Sequence, residues 1–446
     1  MLGKAIHGLL VIAIPLVIIS GLKRSAMLAA AITVGYLFLA FYILGKLNDA
    51  LLFWLQGAYI GFLISLIVFA SIYFYNVYRF LGYETKIAEI LRGQKEIQLS
   101  LATFFAGFIE GVSGFGIPPA VVAPLIYSTG TPAVLAVCSV MIGHTWAVPF
   151  ASMGVPTAVL ARLSEVDTFI LSSTTGIYMS FSLAIIVIVV SRILSMPFTT
   201  AILYSLLSFL IYPIAVLLGP LTGSVTGIIL FAISLFKTFG IRKSLNILSK
   251  LKPYLLLTTI LMTSSLFGLR GLKVSAFLIA LTGIFVQFSS RNKGIVPFRN
   301  AIKMAWKPSL AIILFASAAE MAGKGGFMYS LARMVSLILG KYYLFAVPVV
   351  GAVGAYFTGS NTTSNIVFAK LQESYANLIG YDEISLLALQ NTGGGIGSMT
   401  SPSKIAVGSS TIGENNIESE VLRKVIRMLP VVILPQILTA IVLGVL

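Results

Sequence analysis

Apolar runs of about 18 or more residues recur along the whole chain, and four of them are broken near the middle by polar, glycine-rich segments. A run of that length, coiled as a helix, spans the hydrocarbon of a bilayer, so its recurrence requires a chain that crosses a membrane many times. Every backbone N–H and C=O in hydrocarbon needs a partner within the protein, which favours helices as the spanning element. Composition agrees: 58% of the 446 residues are hydrophobic and 10% are charged, too few charges to clothe a soluble domain. The first run, 5–20, lacks a small-residue cleavage site and is followed at once by Lys23, Arg24 and another apolar run. It reads as a retained helix rather than a leader.

A net charge of +16 would point to nucleic acid in a soluble protein. Here the basic residues collect in short loops between apolar runs, where the bias of cytoplasmic loops toward Lys and Arg accounts for them; no nucleic-acid partner is expected. One cysteine, Cys138, supplies neither a disulfide framework nor a thiolate cluster, and two histidines, His7 and His144, are too few for a haem-rich or multi-metal enzyme. The chain has no Gly-x-x-x-x-Gly-Lys-Ser/Thr loop and no His-Glu-x-x-His. An enzyme is not indicated, no cofactor is expected, and nothing in the chain would bind ATP.

The order of segments in the first part recurs in the second. Spans at 2–20, 25–45 and 49–78 precede a polar stretch at 77–98, read as an amphipathic helix on the membrane surface. A run at 99–128 follows, interrupted around Gly111 to Pro119, then one at 132–160, interrupted around His144 to Pro156, then a span at 168–190. The second part has spans at 253–269, 273–290 and 308–323 and a polar stretch at 324–343. Its run at 343–371 is interrupted around Thr358 to Asn365, its run at 384–411 around Asn391 to Gly397, and a last span covers 428–446. Gly111 and Gly359, His144 and Asn391, Met153 and Met399, and Pro156 and Pro402 stand 246 to 248 residues apart.

Reading the runs at 99–128 and 343–371 as re-entrant hairpins gives each half an odd number of crossings. Two linking spans, 198–218 and 222–239, then force the halves to be inverted relative to one another. The expected fold is an all-α integral membrane protein of roughly 12 transmembrane helices in two inverted repeats, 1–191 and 249–446, joined by 192–248. The larger basic clusters (Lys23 with Arg24, then 79–95, 237–252, 291–307 and 423–427) share one face in this topology, the cytoplasmic one, with both termini external.

Interrupted helices in matching places of inverted repeats point to a transporter's midplane site. Helix N-termini at such breaks present unpaired N–H groups and partial positive charge to an anion. Ser113, Thr145, Ser360, Asn361, Thr362, Asn391 and Thr392 supply hydrogen-bonding groups without permanent charge. Gly114, Gly116, Gly393 and Gly394 allow close backbone approach and positive φ. The plainer alternative is that small residues only let helices pack closely. Four polar breaks in corresponding positions favour the site, and these eleven residues together with His144 form the expected substrate-binding set.

The same residues resemble the lactate permease family. The resemblance lies in Phe104-Phe105-Ala106-Gly107-Phe108-Ile109-Glu110-Gly111-Val112-Ser113-Gly114-Phe115-Gly116-Ile117-Pro118 and in Ala147 to Pro156. It continues in Phe357 to Asn365 and in Asn391-Thr392-Gly393-Gly394-Gly395-Ile396-Gly397-Ser398-Met399-Thr400-Ser401-Pro402. It implies proton-coupled symport of lactate, with glycolate or related 2-hydroxy acids. The chain is also similar to a wider ion-transporter superfamily, which implies that the hairpins and broken helices slide as an elevator against a scaffold, in a homodimer. Ser360-Asn361-Thr362 is similar to the hairpin-tip motif that superfamily uses for carboxylates.

Among titratable residues, Glu110 near the apex of the first hairpin suits a proton carrier, since intramembrane acids are functional by default; a carboxylate capping local N–H groups or pairing with a lysine is the alternative. His144 belongs to the side-chain type that titrates near neutrality, and it either shares the coupling and binds the substrate or holds unwound backbone together. Lys404 is either a cation for the substrate or a lysine snorkelling to the interface. Glu320 beside Lys324 reads as a local ion pair, and Trp146 as a wall of the pocket. Rival readings are a sodium-coupled dicarboxylate transporter and a membrane subunit of a redox proton pump.

Overall fold

A computed structural model describes residues 2–114, 116–290, 294–414 and 416–443. Phe115 of the hairpin motif, Arg291 and Lys293 of a basic loop, and 444–446 at the end of the last span lie outside them. Helix is the only regular structure among the described residues. Among the described residues nine helical stretches are long and apolar enough to cross a membrane, and Ile117–Tyr127, Ala133–Gly143 and Leu272–Phe288 are shorter apolar helices. The nine include 198–249 as one stretch, although that stretch is interrupted at Gly219–Leu221.

The two longest single helices at the centre of the packing are Leu47–Phe80 and Val296–Lys324. Gly57 and Gly61, one turn apart, bring the first helix onto the second. A methyl group at Gly57 would collide with the backbone of Ala316 and Ser317, and one at Gly61 would lie 2.5 Å from the Ile313 Cα. In lipid there is no water to drive helices together, so small residues that allow backbones to touch supply the contact instead. Two hydroxyls reinforce it, Ser317 Oγ donating to the Trp54 carbonyl at 3.1 Å and Ser65 Oγ to that of Ser309 at 3.1 Å.

The polar stretch at 77–98 is not one surface helix. The preceding span runs on to Phe80, and glycines with positive φ at Gly82 and Gly93 bracket a short amphipathic helix, Tyr83–Leu91, that buries Ile87 and Leu91.

Four interruptions follow. The first hairpin, 98–127, turns at Gly114 (φ 64) and Gly116 (φ 75), between Ala106–Ser113 and Ile117–Tyr127. The turn is three residues beyond Gly111, which stays helical because it packs against the backbone of Gly223 and Ser224. The second hairpin turns at Gly359 (φ 73) and Ser360, between Tyr343–Thr358 and Asn361–Ile379. The first broken helix leaves Ala133–Gly143, forms a tight 3₁₀ segment Thr145–Phe150, and passes through Ser152, Met153 and Gly154 at φ 48, 59 and 89 before continuing to Leu163.

The second broken helix corrects an expectation. Glu383–Gly397 is helical through Asn391, Thr392 and all three consecutive glycines, and the break comes after it, at Ser398–Thr400 and Ser401. The glycines serve contact instead of unwinding. Cβ atoms at Gly393 and Gly397 would collide with Pro348 and Ala352 of the facing hairpin helix, and one at Gly394 with the Asn361 side-chain oxygen.

Side-chain amides lock the breaks together. Asn391 Oδ1 accepts from Asn361 Nδ2 at 3.0 Å and from Asn365 Nδ2 at 2.8 Å, while Asn391 Nδ2 donates to Thr157 Oγ1 at 2.8 Å and Thr175 Oγ1 at 3.3 Å. Asn365 Nδ2 also reaches the Pro156 carbonyl at 3.1 Å, and Thr157 Oγ1 the Pro149 carbonyl at 2.7 Å. All five of these asparagine and threonine side chains are buried. One amide therefore ties the second hairpin, both broken helices and the helix Thr168–Ile193.

Two predictions follow from this packing. Gly57→Val or Gly61→Val is expected to destabilise the protein by about 1–3 kcal/mol through overpacking, read as a lowered midpoint of thermal unfolding in detergent. Gly35→Ala, with open space around it, should cause no loss. Asn391→Ala should cost about 1–3 kcal/mol for each buried group left unpaired, visible in the same assay as a larger drop than Thr392→Val produces.

Candidate functional site

The hairpin turns and the helix breaks meet around a cavity of about 260 Å³. Its lining includes Gly116 from the first hairpin, Gly359, Ser360, Asn361 and Thr362 from the second, and Ser152, Val155 and Pro156 from the first broken helix. Ser403, Lys404 and Val407 come from the second broken helix, and Glu110 from below the first turn.

Four helices begin at this cavity. Gly116 precedes Ile117–Tyr127, Ser360 caps Asn361–Ile379, and Ser401 caps Pro402–Ile412. The fourth resumes at Val155, after the left-handed residues Ser152 to Gly154. First-turn N–H groups have no intrahelical partners and carry partial positive charge. Ser360 Oγ accepts from the Thr363 N–H at 3.3 Å and Ser401 Oγ from that of Lys404 at 3.5 Å. After Gly116 the Ile117 N–H donates to the Gly114 carbonyl at 3.2 Å and Pro118 and Pro119 carry no N–H, so that helix start offers its dipole rather than free donors. Four such termini around so small a space make an environment for an anion.

The two charged residues of the lining face each other. Lys404 Nζ lies 3.5 Å from Glu110 Oε1, with 8% and 1% of the two residues exposed. Lys404 is therefore not a lysine extended to the membrane interface. Glu110 Oε2 has no hydrogen-bond partner among the described residues. The hydroxyls divide into two kinds. Ser152 Oγ donates to the Ser113 carbonyl at 2.9 Å and bridges the first broken helix to the first hairpin. Thr362 is half-buried on the lining and makes no side-chain hydrogen bond among the described residues.

Of the residues picked out by sequence, Glu110, Gly116, Ser360, Asn361 and Thr362 meet on this lining. The others stand behind it. Ser113 Oγ turns back to the Ile109 carbonyl at 2.5 Å, and Gly114 takes the positive φ of the turn against Ser152. His144 is fully buried, its Nδ1 2.7 Å from the Val140 carbonyl and its Nε2 without a partner among the described residues. Thr145 Oγ1 donates to the Ile142 carbonyl at 2.7 Å, and Thr392 Oγ1 to the Ala388 carbonyl at 2.8 Å and to Gln436. Asn391 is the amide tie described above, and Gly393 and Gly394 are packing contacts. Trp146 lies outside the lining, buried over Gly107 with its indole N–H on the Thr103 carbonyl at 3.1 Å. Glu320 pairs with Lys324 at 3.1 Å.

Sequence reading passed over Ser152, Asn365 and Ser403. Asn365 sits one turn after Asn361 on the same helix, a spacing that could have marked it; nothing local marks Ser152.

A wider cavity of about 1040 Å³ shares Val155 with the first. Arg162, Arg270, Lys273 and Lys324 line it together with Glu165, Asp167 and Glu320. Asp167 is occupied as the cap of Thr168–Ile193, accepting from Phe169 N at 2.8 Å and Ile170 N at 2.9 Å.

Comparison with known proteins adds a family to this geometry. The family model described as L-lactate permease matches residues 4–243 and 230–446. The L-lactate permease of Escherichia coli strain K12 is 24% identical over 445 residues, covering 81% of this chain and 80% of that protein. That of Bacillus subtilis strain 168 is 24% identical over 470 residues, covering 83% of each. The glycolate permease GlcA of Escherichia coli strain K12 is 33% identical over 152 residues, 34% of this chain and 27% of that protein. Permease names describe transporters rather than enzymes, and the run of apolar helices is that of a multi-pass membrane protein. With the family model matching both halves of the sequence, the chain belongs to the L-lactate permease family.

Proposed function

We propose that this chain is a secondary transporter that carries lactate, and related 2-hydroxy monocarboxylates such as glycolate, across the cell membrane by proton symport. The observation that carries the reading is the convergence of four helix N-termini and Lys404 on one small cavity. A carboxylate is the ligand such a site suits. At about 260 Å³ the cavity lies below the roughly 300–1,000 Å³ typical of drug-sized ligand sites, which favours a solute of lactate's size. The names of the relatives point the same way.

Glu110 is the proton carrier in this reading. It is the one acid on the lining, and it has a carboxylate oxygen without a hydrogen-bond partner among the described residues. His144, a turn away from the lining, supports the unwound segment and shares the coupling. The hairpins and broken helices, 99–160 and 343–411, form the moving part, and the remaining spans form the scaffold. The halves 1–191 and 249–446 are inverted repeats linked by 192–248, giving about 12 crossings with both termini external. The recurring order of hairpin, broken helix and closing span, at 98–193 and again at 343–442, supports that division. The working unit is a homodimer embedded in lipid.

The test is uptake of radiolabelled L-lactate into proteoliposomes holding the purified protein, with an inward proton gradient and no sodium. Accumulation that collapses with a protonophore is expected, and Glu110→Gln should abolish accumulation while slowed lactate–lactate exchange persists. No uptake above that of empty liposomes, in a reconstitution shown to be intact, would overturn the reading. So would uptake that requires sodium and is competed by succinate.

A further inference from the structure

We infer that Lys404 is the cation that binds the substrate's carboxylate, and that Glu110 holds that same position on the lysine whenever the substrate is absent. The inference rests on the proton-symport reading and deepens it by assigning the coupling to an exchange of counter-ions at one ammonium group.

Glu110 and Lys404 are the charged residues of the cavity's lining, they come from opposite halves of the chain, and both are buried. Among the described residues Lys404 is the ion-pair partner of Glu110, and buried His144 stands behind the lining. A buried charge is tolerated only with a partner, so the empty site is stable as Glu110⁻ beside Lys404⁺, a neutral pair. The contact of 3.5 Å is long for a charge-assisted hydrogen bond. An ammonium has three donors, and one carboxylate oxygen at that distance leaves room for a closer acceptor.

An arriving carboxylate adds a negative charge to a space that was neutral. Two carboxylates beside one lysine leave one negative charge without a partner, which burial opposes. Protonation of Glu110 removes the excess. The proton goes onto a Glu110 carboxylate oxygen, the lysine's ion pair passes to the substrate, and the loaded site again has no net charge. Binding the anion alone leaves the site at −1, and binding the proton alone leaves it at +1. Both are disfavoured relative to the two neutral states. The neutral forms are therefore the ones that move across the membrane, and one anion travels with one proton. The helix N-termini at Ser360, Ser401 and Gly116 add attraction for the carboxylate with no formal charge that would need neutralising.

Transport of this kind is electroneutral. In proteoliposomes, wild-type lactate accumulation should follow the proton gradient and be unchanged by a potassium-valinomycin potential of either sign. Glu110→Gln fixes the side chain in a neutral form. Its loaded site is neutral and exchanges, whereas its empty site carries the lysine's charge and crosses only slowly, so each of its infrequent net cycles moves one negative charge. Net uptake by this variant should lose its response to the proton gradient and gain one to potential, faster with the interior positive. Lys404→Gln should raise the half-saturating lactate concentration by roughly 10-fold or more, the loss of a charge-assisted contact, and Lys404→Arg should restore part of it.

Wild-type uptake that responds to potential, or a folded Lys404→Gln protein with wild-type half-saturation, would overturn the counter-ion exchange while leaving lactate transport intact. Absence of proton-driven uptake by the wild type would instead remove the symport reading beneath it. Each variant is first compared with wild type by size-exclusion profile; the potential response of Glu110→Gln decides the matter even if Lys404→Gln does not fold.

Discussion

A helix interrupted inside hydrocarbon exposes N–H and C=O groups that no lipid can serve, and each has to be paired by the protein. This requirement organises the centre of the molecule. The Ser113 carbonyl at the first hairpin turn is taken by Ser152, that of Pro149 by Thr157 and that of Pro156 by Asn365. Ser360 and Ser401 cap the helices that restart beyond the breaks. Most hydroxyls and amides that look from sequence like ligand contacts are thus committed to backbone. What remains open to the cavity is a ring of helix starts, a half-buried Thr362 and one ion pair.

Satisfying those groups requires helices to approach far closer than bulky side chains permit. Gly394 is where the Asn361 amide enters to reach Asn391; Gly143 brings one broken helix against the Ala102 carbonyl; Gly107 accepts the face of Trp146. Close contact and hydrogen bonding are one design here, because an amide tie that spans several elements forms only when their backbones nearly touch. The left-handed residues Ser152 and Met153 are a cost of that design, of order 1–3 kcal/mol each. They persist because the packed surroundings leave the chain no other course between Phe150 and Val155.

These relations explain what could be read from the sequence and what could not. The membrane class and the presence of four interruptions were legible, since polar glycine-rich segments stand out inside long apolar runs. Their exact places were less so. Glycine serves either positive φ or close approach, and the sequence shows the residue without its neighbour. The glycines after Asn391 looked like an unwound segment and are helical contact points, whereas Gly114 and Gly116 do turn the chain. Asn391 was visible as a polar residue in a break, but its four amide contacts reach elements from both halves of the chain. Glu110 was recognisable because a lone acid in an apolar run is costly. Lys404 was ambiguous, since a lysine's reach lets it serve an interface or a buried partner equally well, and only the fold brings it to Glu110.

The small number of formal charges at the site has a physical use. A carrier has to bind its anion firmly enough to desolvate it and loosely enough to release it on the other side. An unopposed buried lysine would hold a carboxylate strongly and would itself be unstable when empty. In the proposed counter-ion exchange, pairing it with Glu110 lowers both extremes, because the site's own carboxylate competes with the substrate's for the same ammonium. The helix N-termini contribute partial charges that exist whether or not the anion is present, and they need no counter-ion. On the proposed mechanism, a cavity built this way offers nearly equal environments to its empty and loaded forms, as a buried site needs if it is to open to either side of a membrane in turn.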